Sequence, residues 1–116
     1  MPTKSHVELS ELGTQMMRAA GATKMVADRV TGHLVEANLV GVDSHGILRL
    51  PDYISWLTAG KAAPENRVEI LSDNGASCWA DAHLTYGAVA GMDASLRAAE
   101  KAKRYGVGLV SVKNST

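Results

Sequence analysis

The chain has 116 residues, 46% of them hydrophobic, and twelve basic side chains balance twelve acidic ones, so the formal net charge is zero. This length alone allows one domain at most, and the charge balance leaves no basic surplus for binding nucleic acid. The uninterrupted apolar runs are far shorter than the ~20 residues that span a bilayer. The N-terminus also lacks the apolar stretch of a secretion signal.

The first half of the chain predicts three helices. Residues 8–20 form the first, which Gly21 ends in a left-handed cap. Thr23 is placed to cap a second helix that closes at Gly41, and Pro51 suits the first turn of a third. Helical spacing assigns the buried stripe of the first helix to Leu9, Leu12, Met16 and Ala19 or Ala20. The stripe of the second helix is Ala27, Val30, Leu34 and Ala37.

Two strands joined by a turn follow the third helix. Residues 68–71 and 77–80 have strand character, and the turn between them, at 72–75, contains an Asn-Gly pair that favours a hairpin. Cys78 is the only cysteine and lies in the second strand, so it cannot form an internal disulfide. We interpret it as a small core residue in a protein of the reducing cytoplasm.

The last part of the chain predicts a strand–helix–strand unit. Residues 87–104 form a long helix, and residues 107–112 form a valine-rich strand that is apolar on both faces and should have neighbours on both sides. The order α-α-α-β-β-α-β places the chain in the α/β class. We expect a helical segment over 1–60 and, over 61–116, the start of a truncated α/β domain. The predicted buried face of the long helix comprises Val89, Met92, Leu96 and Ala99.

The segment between the second and third helices carries the densest chemistry. Its side chains offer a hydroxyl, an imidazole, a guanidinium and a phenol: Ser44, His45, Arg49 and Tyr53. A guanidinium binds a carboxylate bidentately, and a phenol four residues further along a helix can donate to the same anion. The alternative is a surface arginine that covers the tyrosine ring in a cation–π contact.

Ser44 and His45 also have a structural and a functional interpretation. Ser44 or Asp43 could cap the third helix, which would place His45 near a helix N-terminus, where the dipole favours the neutral ring. A neutral imidazole suits hydrogen bonding to a substrate or to a cofactor amide. A serine hydrolase pair is disfavoured, because adjacent residues rarely orient a nucleophile and its base towards each other.

Metal and classical dinucleotide sites are not predicted. Asp81 and His83, together with Asp43 and His45, have no recognised ligand spacing. The loop at 81–87 precedes a helix N-terminus and could hold an anion. The chain has no G-x-G-x-x-G motif, so nothing in it indicates a Rossmann site.

The motif resembles the signature of a known family. Residues 41–46, followed by Arg49, Pro51 and Tyr53, are similar to the malate/L-lactate dehydrogenase family that is unrelated to Rossmann-type lactate dehydrogenases. The resemblance covers nearly the whole chain. It continues through residues 19–21, 34–38, 101–110 and 114–115.

The resemblance implies the interconversion of a 2-hydroxy acid and a 2-oxo acid, or a cyclic imine equivalent, with NAD or NADP. It also implies a homodimer. Carried over by position, Arg49 would grip the substrate carboxylate and Tyr53 would line the same pocket. Ser44 and His45 would contact the nicotinamide end of the cofactor.

The resemblance also implies what this chain lacks. Asn114 and Ser115 match the start of the family's Asn-Ser-x-His-Phe-Gly segment and would be adjacent to the site. The family's catalytic histidine would follow Thr116, so we expect an N-terminal fragment with no catalytic residue and negligible turnover of its own. The family's Asp-Gly loop before the long helix is Asp81-Ala82 here.

Two other functions remain open from the sequence. A non-catalytic remnant could act as a binding or dimerisation module through the apolar face of its first two helices. Alternatively, Arg49 and Tyr53 could bind a small anion without redox chemistry.

Overall fold

The computed structural model describes Pro2–Thr116 and divides the chain into two compact units, one up to Glu65 and one from Asn66. The α/β class and the order of elements are confirmed; the functional division at residue 60 stays a prediction. No helix within the described residues is long and apolar enough to cross a membrane. In chain order the elements are α1 (His6–Ala19), α2 (Lys24–Leu39), α3 (Leu50–Thr58), β1 (Glu69–Asn74), β2 (Ser77–Asp81), α4 (Gly87–Tyr105) and β3 (Leu109–Lys113).

Helices α1 and α2 form an αα-hairpin whose ends follow from local chemistry. Ser5 and Glu8 make a capping box in which the amide of Glu8 donates to Ser5 Oγ at 3.2 Å. The hydroxyl of Thr23 accepts the amide of Val26 at 3.4 Å, which confirms the predicted cap of α2. Gly21 has φ 109°, a conformation that favours glycine, and it ends α1 as predicted.

The predicted buried stripe of α1 is wrong by one position at Leu12 and Met16, whereas Leu9 and Ala20 are half-buried. Leu12 is 52% exposed and Met16 39% exposed, whereas Met17 and Gly13 are buried. Gly13 is the cause, because a Cβ there would lie 2.6 Å from Cγ2 of Thr31 on α2. The two helices approach most closely at a residue with no side chain, which a hydrophobic pattern does not register. The core of α2 follows the prediction at Ala27, Val30 and Leu34, with Ala37 half-buried.

Helix α3 begins where proline places it. Pro51 lies in its first turn, where the missing amide hydrogen costs nothing. Leu57 is buried and Tyr53 and Ile54 are half-buried, so these three side chains form the packed side of the helix. Gly60, at φ 73°, follows the end of the helix.

The second unit is a three-stranded sheet with one covering helix. Strands β1 and β2 are an antiparallel hairpin, β2 and β3 are parallel, and the strand order is β1-β2-β3. The predicted strand–helix–strand unit is therefore confirmed. The hairpin turn lies later than predicted, since Asn74 pairs with Ser77 and only two residues, Gly75 and Ala76, connect the strands. A bulge after Ile70 absorbs the change of register.

Helix α4 turns a more polar face to the sheet than predicted. Val89 is buried as expected, but Met92 and Leu96 are exposed. Lys101 is the reason near the hairpin, because its Nζ donates to Oδ1 of Asp73 at 2.6 Å and to the carbonyl of Gly75 at 2.7 Å. The long side chain of Lys101 thus packs against the hairpin, where the sequence pattern had predicted apolar side chains.

Strand β3 is not buried on both faces. Its residues alternate between exposed and half-buried, and Leu109 is 64% exposed. Within Pro2–Thr116 it pairs with β2 alone. The second neighbour expected from its apolar sequence is therefore not among the described residues. Cys78, on β2, is buried as predicted.

Candidate functional site

Two consecutive 3₁₀ helices, Asp43–His45 and Ile47–Arg49, connect α2 to α3. The side chain of Asn38, in the last turn of α2, holds both. Its Nδ2 donates to Oδ1 of Asp43 at 2.7 Å, and its Oδ1 accepts the amide of Ile47 at 2.8 Å. One carboxamide therefore fixes the two ends of the turn that presents the predicted motif.

Gly46 joins these 3₁₀ helices and is buried against the same carboxamide. A Cβ at this position would lie 2.3 Å from Oδ1 of Asn38 and 2.4 Å from its Nδ2. The φ of Gly46 is −89°, so glycine is required here by close approach and not by backbone conformation. The turn and the Asn38 carboxamide form one tightly packed unit.

Ser44 and His45 lie on the exposed side of this turn. Neither Ser44 nor Asp43 caps α3, because Arg49 occupies the cap position and the helix begins at Leu50. The predicted place of His45 at the N-terminus of α3 is wrong for the same reason. Ser44 Oγ lies 3.0 Å from Nδ1 of His45, so these two side chains do face each other, an arrangement that is rare for adjacent residues.

Arg49 and Tyr53 are at the start of α3, four residues apart. The guanidinium of Arg49 lies 3.3 Å from Oδ2 of Asp52, and both side chains are about half exposed. The ring of Tyr53 stacks on Trp56 with centroids 4.8 Å apart. An exposed ion pair of this kind contributes only about 0–1 kcal/mol, so the guanidinium can be redirected to another anion at little cost.

A second cluster lies in the second unit, where the parallel strands β2 and β3 end. The loops that follow these strands are joined by backbone hydrogen bonds, including Leu84 N to the Asn114 carbonyl at 2.8 Å and Gly87 N to the Thr116 carbonyl at 2.7 Å. Three non-glycine residues in these loops have positive φ: His83, Leu84 and Asn114. Asn114 and Ser115 therefore lie in a different unit from the other predicted site residues.

Asp81 is the centre of this second cluster. It ends β2, is buried, and accepts the amide of His83 at 2.8 Å. The amide of His83 holds the pKa of the Asp81 carboxyl below its ordinary 3.8, helped by the Asn114 carboxamide and the nearby charges of His83 and Lys113, although burial opposes the shift. His83 in turn reaches across to β1, with Nε2 2.7 Å from Oε2 of Glu69.

The lowered pKa of Asp81 predicts a pH dependence of stability. The folded state favours the ionised carboxyl, so its contribution is complete above the unfolded pKa of about 3.9 and is lost as the pH falls through the lower folded pKa. We expect Asp81→Asn to flatten the fall in unfolding free energy below about pH 4. Urea unfolding between neutral and strongly acidic pH measures this, and identical acid slopes for both proteins would contradict it.

Comparisons with known proteins identify the family. The sequence profile described as malate/L-lactate dehydrogenase matches residues 5–116, nearly the whole chain. This chain belongs to the malate/L-lactate dehydrogenase family. The resemblance seen in the motif is thereby confirmed. Relatives that match this chain are named as dehydrogenases of hydroxy acids, such as hydroxycarboxylate and sulfolactate.

Individual members of the malate/L-lactate dehydrogenase family match in sequence and in fold. Hydroxycarboxylate dehydrogenase B of Escherichia coli O157:H7 is 33% identical over 100 residues, covering 86% of this chain and 28% of its own. L-sulfolactate dehydrogenase of Methanocaldococcus jannaschii is 40% identical over 81 residues, covering 70% and 24%. The malate dehydrogenase structure from Entamoeba histolytica superposes with a TM-score of 0.94 at 33% identity, covering 99% and 32%. The chain thus spans about a quarter to a third of these family members.

The structure identifies two residues, Asn38 and Asp81, that hold the predicted site residues in place and that the sequence had not predicted for this role. Asn38 had been noted only as part of a similar helix, although its side chain organises the Ser-His turn. Asp81 had been considered as a metal ligand and as part of the loop before the long helix, but not as the partner of Asn114, whose loop it organises. The buried glycine of the motif could have indicated a close neighbour, but nothing in the sequence pattern points to these two polar partners.

Proposed function

We propose that this chain forms part of the active site of an oxidoreductase that transfers a hydride between NAD or NADP and a small 2-hydroxy or 2-oxo acid. The observation that carries the proposal is the turn held by two hydrogen bonds of Asn38, which presents an exposed serine–histidine pair four residues before Arg49. Membership of a family of hydroxy-acid dehydrogenases supports the same conclusion. We further propose a cytoplasmic homodimer.

Arg49 is the proposed ligand of the substrate carboxylate. Its present partner, Asp52, is an exposed neighbour one helical turn away, so exchange for a substrate anion sacrifices little. A guanidinium offers a bidentate fork that fixes both the position and the orientation of a planar carboxylate. Tyr53 follows on the same helix and would line the pocket beside it, with its ring already held against Trp56.

Ser44 and His45 are the proposed contacts to the nicotinamide end of the cofactor. If Ser44 donates to Nδ1, the imidazole keeps its proton on Nε2 and can donate to a carboxamide oxygen. These exposed polar groups fit a carboxamide, and the bound nicotinamide would supply the hydride chemistry. The role of the turn is to hold at fixed positions one donor, Nε2 of His45, and one acceptor, the Ser44 hydroxyl oxygen, which can accept from the carboxamide NH₂.

The experiment that tests this function joins the chain to the rest of a relative. The matching third of the Entamoeba histolytica malate dehydrogenase is replaced by these 116 residues, and reduction of oxaloacetate is followed with NADH and with NADPH. We expect turnover by the chimera and none by the 116-residue chain alone. A folded chimera that binds neither cofactor nor oxaloacetate would contradict the proposal.

The rival function is a non-catalytic binding or dimerisation module. The observation in its favour is a group of exposed apolar side chains around the Ser-His turn: Leu39, Val40, Val42 and Leu48. Exposed apolar patches of this kind mark contact surfaces. Mixing the chain with a full-length relative and measuring the mass of the complex by light scattering distinguishes the two, because a defined heterodimer without turnover in the chimera favours the module.

A further inference from the structure

The carboxyl ends of β2 and β3 are built around a pair of left-handed loops. After β2, His83 and Leu84 have φ of 46° and 68°, and after β3, Asn114 has φ of 57°. Such conformations are unfavourable for residues other than glycine, least so for asparagine. Three of them in two facing loops require compensating interactions, and backbone strain of this kind is typical of functional sites.

Asp81 supplies the compensating interactions for both loops. Its carboxylate accepts the amide of His83 at 2.8 Å, which fixes the first loop. Both of its oxygens accept Nδ2 of Asn114, at 3.2 and 3.1 Å, which fixes the second. The ammonium group of Lys113 lies 3.6 Å from Oδ2. The carboxylate therefore accepts from one donor in each loop, and hydrogen bonds to a charged acceptor are stronger than those to a neutral one.

The groups facing Asp81 come from each strand of the sheet. Cross-strand pairing places Glu69 on β1, Asp81 on β2 and Lys113 on β3 in one row. His83 bridges the two acids, with Nε2 2.7 Å from Glu69 and Nδ1 3.6 Å from Asp81. Ligands of open α/β sheets bind outside the carboxyl ends of the strands. The three paired residues Glu69, Asp81 and Lys113 thus lie beneath the loops at the carboxyl ends of β2 and β3, where binding residues are expected.

We propose that Asp81 is a positioning residue within the second unit, because it locks Asn114 in its left-handed conformation and so determines where Ser115 and Thr116 are presented. The proposal rests on the proposed function for its catalytic consequence. Its structural half stands separately. Without the carboxylate, Asn114 loses its side-chain partner. The backbone hydrogen bonds that join residues 114–116 to residues 82–87 then weaken, because they require Asn114 to keep its left-handed conformation.

Exchanging the side chains of residues 81 and 114 tests the contact between Asp81 and Asn114 in this chain. Asp81→Asn removes the charge and replaces one of the two oxygens that accept from Asn114 with a second NH₂ group, so it weakens the contact. Asn114→Asp removes the donor and places two carboxylates together, so it breaks the contact. The double variant Asp81→Asn with Asn114→Asp restores it, since the new amide donates to the new carboxylate while its oxygen still accepts the His83 amide. Aspartate also tolerates the left-handed conformation.

Hydrogen exchange at the amides of Leu84, Gly87 and Thr116 is the structural measurement. We expect about tenfold or greater loss of protection in each single variant, confined to these amides, and recovery in the double variant. The matched control is Asp73→Asn, which removes a carboxylate that also accepts one backbone amide and one side-chain donor, at the hairpin end of the sheet. Unchanged protection in the single variants, or equal loss at every amide, would overturn the proposal.

Turnover of the chimera is the functional measurement. Asp81→Asn should lower kcat by about ten- to a hundredfold with the KM for the cofactor nearly unchanged, and the double variant should recover it. A single variant with wild-type kcat would overturn the positioning role. An inactive wild-type chimera would refute the proposed function instead, while the exchange measurement would still decide whether Asp81 braces the loop.

Discussion

Replacement of Arg49 by alanine in the chimera is expected to lower kcat/KM for oxaloacetate by about a hundredfold. Hydrogen bonds to charged groups contribute roughly 1.5–3 kcal/mol, and each ~1.4 kcal/mol corresponds to a factor of ten. The loss should be mainly in KM, because the carboxylate is held both before and during the reaction. Arg49→Lys should recover only part of it, since an ammonium group cannot form the bidentate contact. Steady-state kinetics on the three proteins provide the measurement.

The stability of the Arg49 variants should hardly change, which separates binding from folding. The ion pair with Asp52 is about half exposed, so its removal costs at most ~1 kcal/mol. Arg29→Ala is the matched control, an exposed arginine on α2 of the same unit, and it should leave kcat/KM unaltered. If Arg49→Ala keeps the kinetics of the Arg29 control, Arg49 does not bind the substrate.

Replacement of Gly46 by alanine is expected to destabilise the first unit by roughly 2–4 kcal/mol, which combines overpacking with about 1 kcal/mol for each hydrogen bond lost. The added methyl group would occupy the place of the Asn38 carboxamide. That carboxamide could move away only by releasing Asp43 and Ile47 together. Urea unfolding measures the change, and the chimera should lose turnover because Ser44 and His45 are no longer held.

Two further variants isolate the cause of the Gly46 effect. Asn38→Ala in the same protein makes room for the methyl group, so the double variant should be less destabilised than the sum of the two single changes. Gly32→Ala is the control, because this glycine lies within α2 and an added Cβ would contact nothing within 4 Å. It should stabilise the helix by about 0.5–1 kcal/mol. Strictly additive effects at positions 38 and 46 would contradict the packing described.

Local signals predicted the helix ends and the strand–helix–strand unit correctly. Thr23 and Gly21 act through hydrogen bonds and backbone angles within a few residues, so the sequence pattern contains all that is needed. The buried faces were predicted less well. The face of α1 depends on Gly13, and the exposed part of α4 depends on a lysine that reaches the hairpin, and neither enters a count of apolar residues.

The residues of the candidate site could be predicted from the sequence, but the hydrogen bonds that hold them in place could not. Ser44, His45 and Arg49 were recognisable from their residue types and from the family resemblance. Asn38 acts on residues five and nine positions later, and Asp81 acts on a side chain 33 positions later. Such contacts are set by how the chain folds back on itself, and helical or strand periodicity contains no information about them.

The first measurement to make asks whether the chimera transfers a hydride from the nicotinamide cofactor to oxaloacetate, as the proposed function requires. It is incubated with oxaloacetate and with NADH or NADPH that carries deuterium at C4 of the nicotinamide, in separate reactions with the label on each face. We expect malate that carries one deuterium at C2 from one of the two labelled faces. At oxaloacetate concentrations below its KM, the Arg49→Ala chimera should form labelled malate about a hundredfold more slowly. Unlabelled malate from both faces, or no malate from a folded chimera that binds the cofactor, would contradict it.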